Sequence, residues 1–346
     1  MNRRSFIGSV AVGVGIAASG NSVFAKGTSE PVYGHNGVSY RQVKGWGVLD
    51  STRFPVKDCH EMVQDQQGRI FLLTNETRNN ILVYDTAGRL KSSWGTEYPG
   101  AHGLSIAGEG ADQFLLITDT EQHRVFKTTL DGKVLLTLDY PKEAALYEKR
   151  EAYIPTETAV APNGDIYVAD GYGQQYILHY DSNGKLKGWF GGKGEGDHFL
   201  DNAHGIAIDN RDGQATLLVT DRTRHCFKRF SLTGELLEII GLPGACVCRP
   251  VIKGDRIYAA VLRSPDISIE NSGFVTILDK DNRVISNIGG TAPTYRDGKL
   301  QMMQQEIPLF AHPHDVCVDN DENLYVAQWA SGKVYPYKFE RVAESK

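Results

Sequence analysis

Four of the ten histidines in this 346-residue chain occur at the same point of a repeated pattern. His60, His102, His204 and His314 each stand directly before a short apolar segment of strand character. Neutral imidazoles are common metal ligands, and three of them with an open fourth position make a catalytic zinc site. One histidine of this kind is more often an ordinary turn or core residue, but four in phase favour a shared metal site.

The repeats themselves predict the fold. Each copy has a short apolar strand, a glycine turn, two further strands and a last strand that ends in Trp-Gly or a similar pair, and copies begin near residues 61, 103, 159, 205, 251 and 315. The last copy lacks its fourth strand, and Tyr40 to Gly47 repeats the ending of Leu90 to Gly95. We therefore predict an all-β, six-bladed β-propeller over residues 38–342, closed by an N-terminal outer strand that removes the free sheet edge.

In a propeller the innermost strands line an axial channel, so the residues just before them converge at one mouth. We name these the channel positions. In the third and fifth copies they are Thr156 and, approximately, Cys248. Residues 142–151 are the one helix-prone insertion, and residues 263–273 and 292–310 are irregular insertions of the kind that contact substrates.

The first residues predict an export signal. Asn2-Arg3-Arg4-Ser5-Phe6-Ile7 is a twin-arginine pattern, followed by a weakly apolar run and a small-x-small exit that ends at Ala25. We predict a signal peptide over residues 1–25, passage through the twin-arginine translocase and a periplasmic or extracellular location. The run is too short and too rich in glycine for a stable membrane span, and no other candidate span occurs.

Composition narrows the partners. With 37 Lys+Arg against 42 Asp+Glu, the formal charge is −5, which gives no electrostatic basis for binding nucleic acid or an anionic membrane. A small molecule or a peptide is the expected substrate. Five cysteines are too few for a disulfide framework, so Cys246 and Cys248 are interpreted as structural, with one disulfide between them as an option.

The repeats resemble the NHL class of six-bladed propellers, and several motifs resemble a narrower family, the peptidyl-α-hydroxyglycine α-amidating lyases. The similar segments are Ala101-His102-Gly103-Leu104-Ser105-Ile106, Pro155-Thr156-Glu157-Thr158-Ala159-Val160, Ala169-Asp170-Gly171-Tyr172, Ala203-His204-Gly205 with Thr220-Asp221-Arg222, and Pro313-His314-Asp315-Val316. The resemblance covers roughly residues 95–340.

This resemblance implies a zinc ion held by His102, His204 and His314. It also implies a structural calcium near Asp315, with the Leu104 carbonyl as a further oxygen ligand. Tyr172 matches the catalytic tyrosine of the family, and Arg222 matches the arginine that binds the substrate carboxylate. The implied reaction is collapse of a carbinolamide, in which the tyrosine takes the hydroxyl proton, the C–N bond breaks, and an amide and glyoxylate are released.

Three residues depart from the family pattern or have no secure counterpart in it. His312 replaces a methionine two residues before the third histidine, and His60 is an extra histidine at the channel mouth. Arg78, with Arg53, is a candidate for an arginine that the family carries upstream of its first metal blade. Asp-Gly-Tyr is also a common turn, and Arg222 could form an ordinary surface salt bridge.

Two other functions stay open at this point. One is a propeller lyase or hydrolase that acts on a sugar, a lactone or a cyclic depsipeptide with the same histidines. The other is a non-enzymatic NHL scaffold that binds peptide or glycan on its top face and holds no metal.

Overall fold

The structure is a computed structural model that describes residues 30–343. The predicted signal peptide, residues 1–25, lies outside the described residues. The described part begins with a hairpin of two strands, β1 (Val32–His35) and β2 (Val38–Val43), and its strands form six antiparallel blades and one separate two-stranded hairpin. The prediction of an all-β, six-bladed propeller is confirmed.

Blades 1 to 3 each contain four consecutive antiparallel strands, with the first strand of each innermost. Their strands are β3 (Cys59–Gln64), β4 (Ile70–Thr74), β5 (Ile81–Tyr84) and β6 (Leu90–Trp94) in blade 1; β7 (Ala101–Ala107), β8 (Phe114–Asp119), β9 (Arg124–Thr129) and β10 (Val134–Leu138) in blade 2; and β11 (Glu157–Val160), β12 (Ile166–Ala169), β13 (Tyr176–Tyr180) and β14 (Leu186–Gly191) in blade 3.

Blades 4 and 5 repeat this order, and a small hairpin follows them. Their strands are β15 (Ile206–Asp209), β16 (Thr216–Asp221), β17 (Cys226–Phe230) and β18 (Leu236–Gly241) in blade 4; β19 (Val247–Lys253), β20 (Arg256–Val261), β21 (Phe274–Leu278) and β22 (Val284–Ile288) in blade 5; and β23 (Tyr295–Arg296) with β24 (Lys299–Leu300) in the hairpin.

Blade 6 joins the two ends of the chain. Its strands β25 (Pro313–Val318), β26 (Leu324–Gln328) and β27 (Tyr337–Val342) are followed by β2, which pairs antiparallel with β27, and then by β1. The innermost strands contact one another in sequence around the ring, and β25 contacts β3. The predicted closure by an N-terminal strand is therefore present, but it is a hairpin that makes the sheet five-stranded, and β2 ends at Val43 before the Trp-Gly pair.

The aromatic residue of the Trp-Gly signature packs against the next blade. Trp46 is buried against Tyr84 and Tyr325, with ring centroids 5.2 and 4.8 Å away. The ring of Trp94, at the end of blade 1, lies against Gly132, the turn glycine between the last two strands of blade 2. Gly132 has a φ of +94°, and a Cβ there would lie 2.6 Å from the indole. The repeated pair thus reflects blade-to-blade packing.

The insertions differ in detail from the sequence prediction. The helix-prone segment contains only two short 3₁₀ turns, Lys142–Ala144 and Arg150–Ala152.

No helix within residues 30–343 is long and apolar enough to cross a bilayer. All five cysteines are buried and free, so the optional disulfide between Cys246 and Cys248 is absent.

The packing of Trp94 on Gly132 gives a stability prediction. Replacing Gly132 with Ala forces a Cβ into the indole and strains a left-handed backbone, so we expect a loss of about 3 kcal/mol in the free energy of unfolding. The control is Gly213→Ala, where φ is +80° and a Cβ meets no atom within 4 Å; it should lose only about 1 kcal/mol from backbone strain. Equal losses in urea unfolding would contradict the packing interpretation.

Candidate functional site

Local irregularities in the innermost strands aim the histidines at the channel. The pairing register shifts between Cys59 and Glu61 in blade 1, and equivalent shifts surround His102 in blade 2 and His314 in blade 6. Such bulges insert an extra residue and turn its side chain away from the regular alternation. His60, His102 and His314 are the residues at these irregularities, and all three are buried.

The four histidines form one cluster. The ring centroids of His60, His102 and His314 are separated by 4.8–5.0 Å, and His204 lies 4.8 Å from both His102 and His314. The cluster therefore consists of two triangles that share the His102–His314 edge. The ligand nitrogens of His60, His102 and His314 all lie within 4.8 Å of one another. His60 thus lies about as close to the shared pair as His204 does, and His204, which the resemblance groups with His102 and His314, is not part of that group of three.

The ring nitrogens leave the cluster ready to bind a cation. His102 Nδ1 lies 2.9 Å from the Thr156 carbonyl and His314 Nδ1 lies 3.0 Å from the His60 carbonyl, so each ring donates outward from Nδ1 and presents Nε2. Both ring nitrogens of His204 and Nδ1 of His60 are buried without a hydrogen-bond partner among the described residues. Buried polar atoms are seldom left unpaired, so these residues fit a metal ion.

Burial keeps the imidazoles neutral, which is the form that binds metals. Desolvation lowers the pKa of His60 to about 3. Desolvation also lowers the pKa of His102, His204 and His314 well below the ordinary histidine value, with further lowering from the neighbouring rings and from Arg222.

Tyr172 lies at the edge of the cluster. Its ring flank is exposed, while its hydroxyl lies 3.1 Å from His102 Nε2. Burial of the phenol raises the pKa of Tyr172, and the nearby Arg222 guanidinium lowers it. Burial has the larger effect, so Arg222 alone does not bring the pKa below the usual tyrosine value. The phenolate needs further positive charge at this mouth.

Arg222 is buried beside Tyr172 and His204. Its Nε donates to the Val247 carbonyl at 3.1 Å, and its Nη2 lies 3.0 Å from the Cys248 sulfur. No carboxylate within residues 30–343 forms a salt bridge with it. The surface salt bridge considered from the sequence is therefore wrong, and Arg222 is a buried cation without a carboxylate partner in the described chain.

The other two candidates lie away from the cluster. The Arg78 side chain is 61% exposed and pairs with Glu76 at 3.0 Å, so it does not reach the histidines. His312 is buried next to Trp329, with the two ring centroids 5.9 Å apart, and its Nε2 accepts a hydrogen bond from the Asn271 N–H. Its placement indicates support of the pocket wall.

A cavity of about 330 Å³ opens onto the cluster. Histidine rings, Tyr172 and the polar residues Asn75 and Glu121 line it, together with apolar surface from Leu262 and Trp329. This combination of a small apolar wall and a few convergent polar groups is typical of a small-molecule site.

The predicted calcium site does not fit the residues present. Asp315 is buried and the Leu104 carbonyl is nearby, as the resemblance implied, but the guanidinium of Arg249 binds both. Arg249 Nη1 lies 2.7 Å from the Leu104 oxygen, and its Nη2 lies 2.8 Å from Asp315 Oδ2. A positive group of the protein thus uses the oxygens that calcium would need.

Sequence reasoning missed Arg249 and two buried acids that surround it, Glu61 and Glu157. The signal was present in the repeats. Glu61, Glu157, Arg249 and Asp315 each stand one residue after a channel position, so they form a second layer beneath the histidines.

The fold and the histidine cluster define a class: a six-bladed propeller with imidazoles gathered at one mouth of its axial channel. Curated relatives agree with the resemblance noted above. The chain is 26% identical over 294 residues to peptidyl-alpha-hydroxyglycine alpha-amidating lyase 1 of Drosophila melanogaster, covering 77% of this chain and 50% of that protein. It is 36% identical over 111 residues to lyase 2 of the same species, which is 31% of this chain and 26% of the relative. The chain thus spans half or less of these relatives, and no family model matches it.

Solved structures support the fold. A gluconolactonase from Xanthomonas campestris superposes with a TM-score of 0.59 at 13% identity, over 91% of this chain and 96% of that one. A streptogramin B lyase superposes with a TM-score of 0.54 at 14% identity, over 88% and 97%. These similarities show a shared propeller. The relatives named as lyases support an enzyme in general terms.

The lowered pKa of His60 gives a pH prediction for metal-free protein. Between pH 7 and pH 5 the unfolded chain protonates this histidine near its ordinary value of 6.5, while the folded chain, with a pKa of about 3, does not. Stability is therefore present at neutral pH and is lost as pH falls, by about 2 kcal/mol from His60 alone. Urea unfolding at pH 7 and at pH 5 should show that His60→Asn loses less free energy of unfolding than wild type does, by about that amount. Equal losses in the two proteins would contradict the lowered pKa of His60.

Proposed function

We propose that this protein is a metal-dependent lyase that cleaves the C–N bond of an α-hydroxyglycine-type carbinolamide bearing a free carboxylate. The observation that carries the proposal is Arg222, a buried cation without a carboxylate partner in the described chain, beside Tyr172 and His204. A buried charge is costly unless it is paired, so an anionic substrate would satisfy it. The relatives named as amidating lyases make this reaction the first to test.

The metal would be held by His102 and His314, which both triangles share, together with His204 and His60. The donor set is entirely imidazole, and zinc is the ion that such a set favours in hydrolytic and lyase chemistry. When bound, the metal polarises the substrate oxygen and adds positive charge beside the phenol.

Each residue of the site has a separate role in the proposed reaction. Arg222 binds the carboxylate and thereby orients the carbinol carbon toward Tyr172. The Tyr172 phenolate accepts the hydroxyl proton, the O–H electrons form the new C=O bond, and the C–N bond electrons pass to nitrogen. The phenol returns that proton to the departing nitrogen, giving an amide and glyoxylate. Leu262 and Trp329 supply apolar surface for the rest of the substrate.

Export through the twin-arginine pathway to the periplasm or the exterior is part of the proposal. It is supported by Asn2 to Ile7, and its translocation step is compatible with metal loading before export.

The metal proposal predicts a stoichiometry. Elemental analysis of purified protein should find about one transition-metal ion per chain, with zinc expected. His102→Ala and His314→Ala should lose it, because each removes a ligand common to both triangles, whereas His204→Ala and His60→Ala should keep it more weakly. The control is His179→Gln, since His179 pairs with Asp165 and stacks on Tyr167 outside the cluster.

Full metal content in His102→Ala would contradict this site. Absence of a stoichiometric metal from both wild type and His179→Gln would favour the binding-scaffold alternative.

The substrate proposal predicts a selective kinetic loss. With an N-acyl-α-hydroxyglycine as substrate and glyoxylate release as the readout, Arg222→Gln should lower kcat/KM about 10- to 100-fold, because a charge-assisted contact to the carboxylate is removed. The control is Arg224→Gln, two residues along the same turn, whose guanidinium donates to the Gly194 and Phe199 carbonyls.

Arg224→Gln should remain within a few-fold of wild type. If the wild-type protein releases no glyoxylate but opens a neutral lactone, and Arg222→Gln opens it equally well, the carboxylate proposal fails and the hydrolase alternative is favoured.

A further inference from the structure

A second layer of charged residues lies directly beneath the histidines. Its members, each one residue after a channel position and each buried, are Glu61, Glu157, Arg249 and Asp315. The same position is glycine in blades 2 and 4. Three acids therefore surround one guanidinium on the propeller axis.

The guanidinium of Arg249 binds oxygens from three other blades. Its Nη1 donates to the Leu104 carbonyl of blade 2 at 2.7 Å, and its Nη2 donates to the Met62 carbonyl of blade 1 at 3.1 Å. Nε and Nη2 form a two-point contact with the Asp315 carboxylate of blade 6, at 3.2 and 2.8 Å. Arg249 itself comes from blade 5, so one side chain links four blades.

Every oxygen that accepts a hydrogen bond from Arg249 belongs to a strand that carries a histidine. Met62 is two residues after His60, Leu104 is two residues after His102, and Asp315 follows His314 directly. The acids strengthen the same connections: Asp315 Oδ2 accepts the Met62 N–H at 2.9 Å, and Glu61 Oε2 accepts the Leu104 N–H at 2.6 Å. The layer thus fixes the relative positions of three histidine strands.

Carbonyl and carboxylate oxygens gathered from several loops are the ligands that Ca²⁺ takes. Here the Arg249 guanidinium donates hydrogen bonds to these oxygens, and its positive charge excludes a second cation from them. We name the layer of Glu61, Glu157, Arg249 and Asp315 the channel floor. We propose that the Arg249 guanidinium occupies the place of the calcium implied by the resemblance, and that it positions the histidines without any bound calcium. Arg249 is a positioning residue, because it acts through the strands that carry the ligands.

The proposal can be tested by removing the Arg249 guanidinium and adding Ca²⁺. A cavity of about 550 Å³ at the other end of the channel reaches Arg249, so added Ca²⁺ can enter once the guanidinium is removed. Arg249→Ala would leave three acids and two carbonyls facing one another, and we expect its unfolding temperature to fall by about 5–10 °C. Millimolar Ca²⁺ should restore at least half of that loss and should raise the zinc content of the variant toward wild type. Wild type should contain no stoichiometric calcium, and its unfolding temperature should not respond to added Ca²⁺.

Two further variants serve as controls. Arg229→Ala removes another buried arginine, which pairs with Asp209 and Glu238 away from the histidines; it should lose stability without any rescue by Ca²⁺. Arg249→Lys retains a positive charge and should stay insensitive to Ca²⁺, which makes the inference testable even if Arg249→Ala does not fold.

The inference is overturned by stoichiometric calcium in wild type, by equal Ca²⁺ responses of Arg249→Ala and Arg229→Ala, or by a Ca²⁺ response of Arg249→Lys as large as that of Arg249→Ala. Metal content and unfolding temperature do not involve turnover, so this inference and the proposed lyase activity can fail independently.

Discussion

Pairing of β2 with β27 is the interaction on which the rest of the structure depends. It joins the two ends of the described chain into one sheet and thereby brings blade 6 against blade 1. The candidate site needs this closure, because His60 belongs to blade 1 and His314 to blade 6. Their rings lie 4.8 Å apart, and His314 Nδ1 donates to the His60 carbonyl. Residues more than 250 positions apart in sequence become direct neighbours only through the closed ring.

Repeat phase explains why much of the fold and the histidine cluster could be predicted. A residue's place within a blade determines its depth in the channel, so His60, His102, His204 and His314 could be grouped without coordinates. The distances between the four rings could not be predicted, because they depend on the bulges in the innermost strands. Nor could the position of Arg249, since whether a long side chain reaches the axis depends on which neighbours at that depth are small.

The two charged layers explain how one channel can present different chemistry along its length. At the mouth, Arg222 is a cation without an acidic partner in the described chain, next to neutral imidazoles, and this arrangement supports the proposed anionic substrate. On the floor, Arg249 is surrounded by acids, and burial together with Asp315 and Glu157 raises the pKa of Glu61, while Arg249 opposes that rise. The family resemblance implied two metal ions, and this chain offers one candidate metal site, the histidine cluster, and the guanidinium of Arg249 beside Asp315.

Crystallography of the purified protein with anomalous data at the zinc edge would test the central claim most directly. We expect one peak among the imidazoles, about 2.0–2.1 Å from Nε2 of His102 and of His314, and guanidinium density beside Asp315. A peak beside Asp315 with Arg249 displaced, or histidines without any metal in protein purified with zinc, would contradict it.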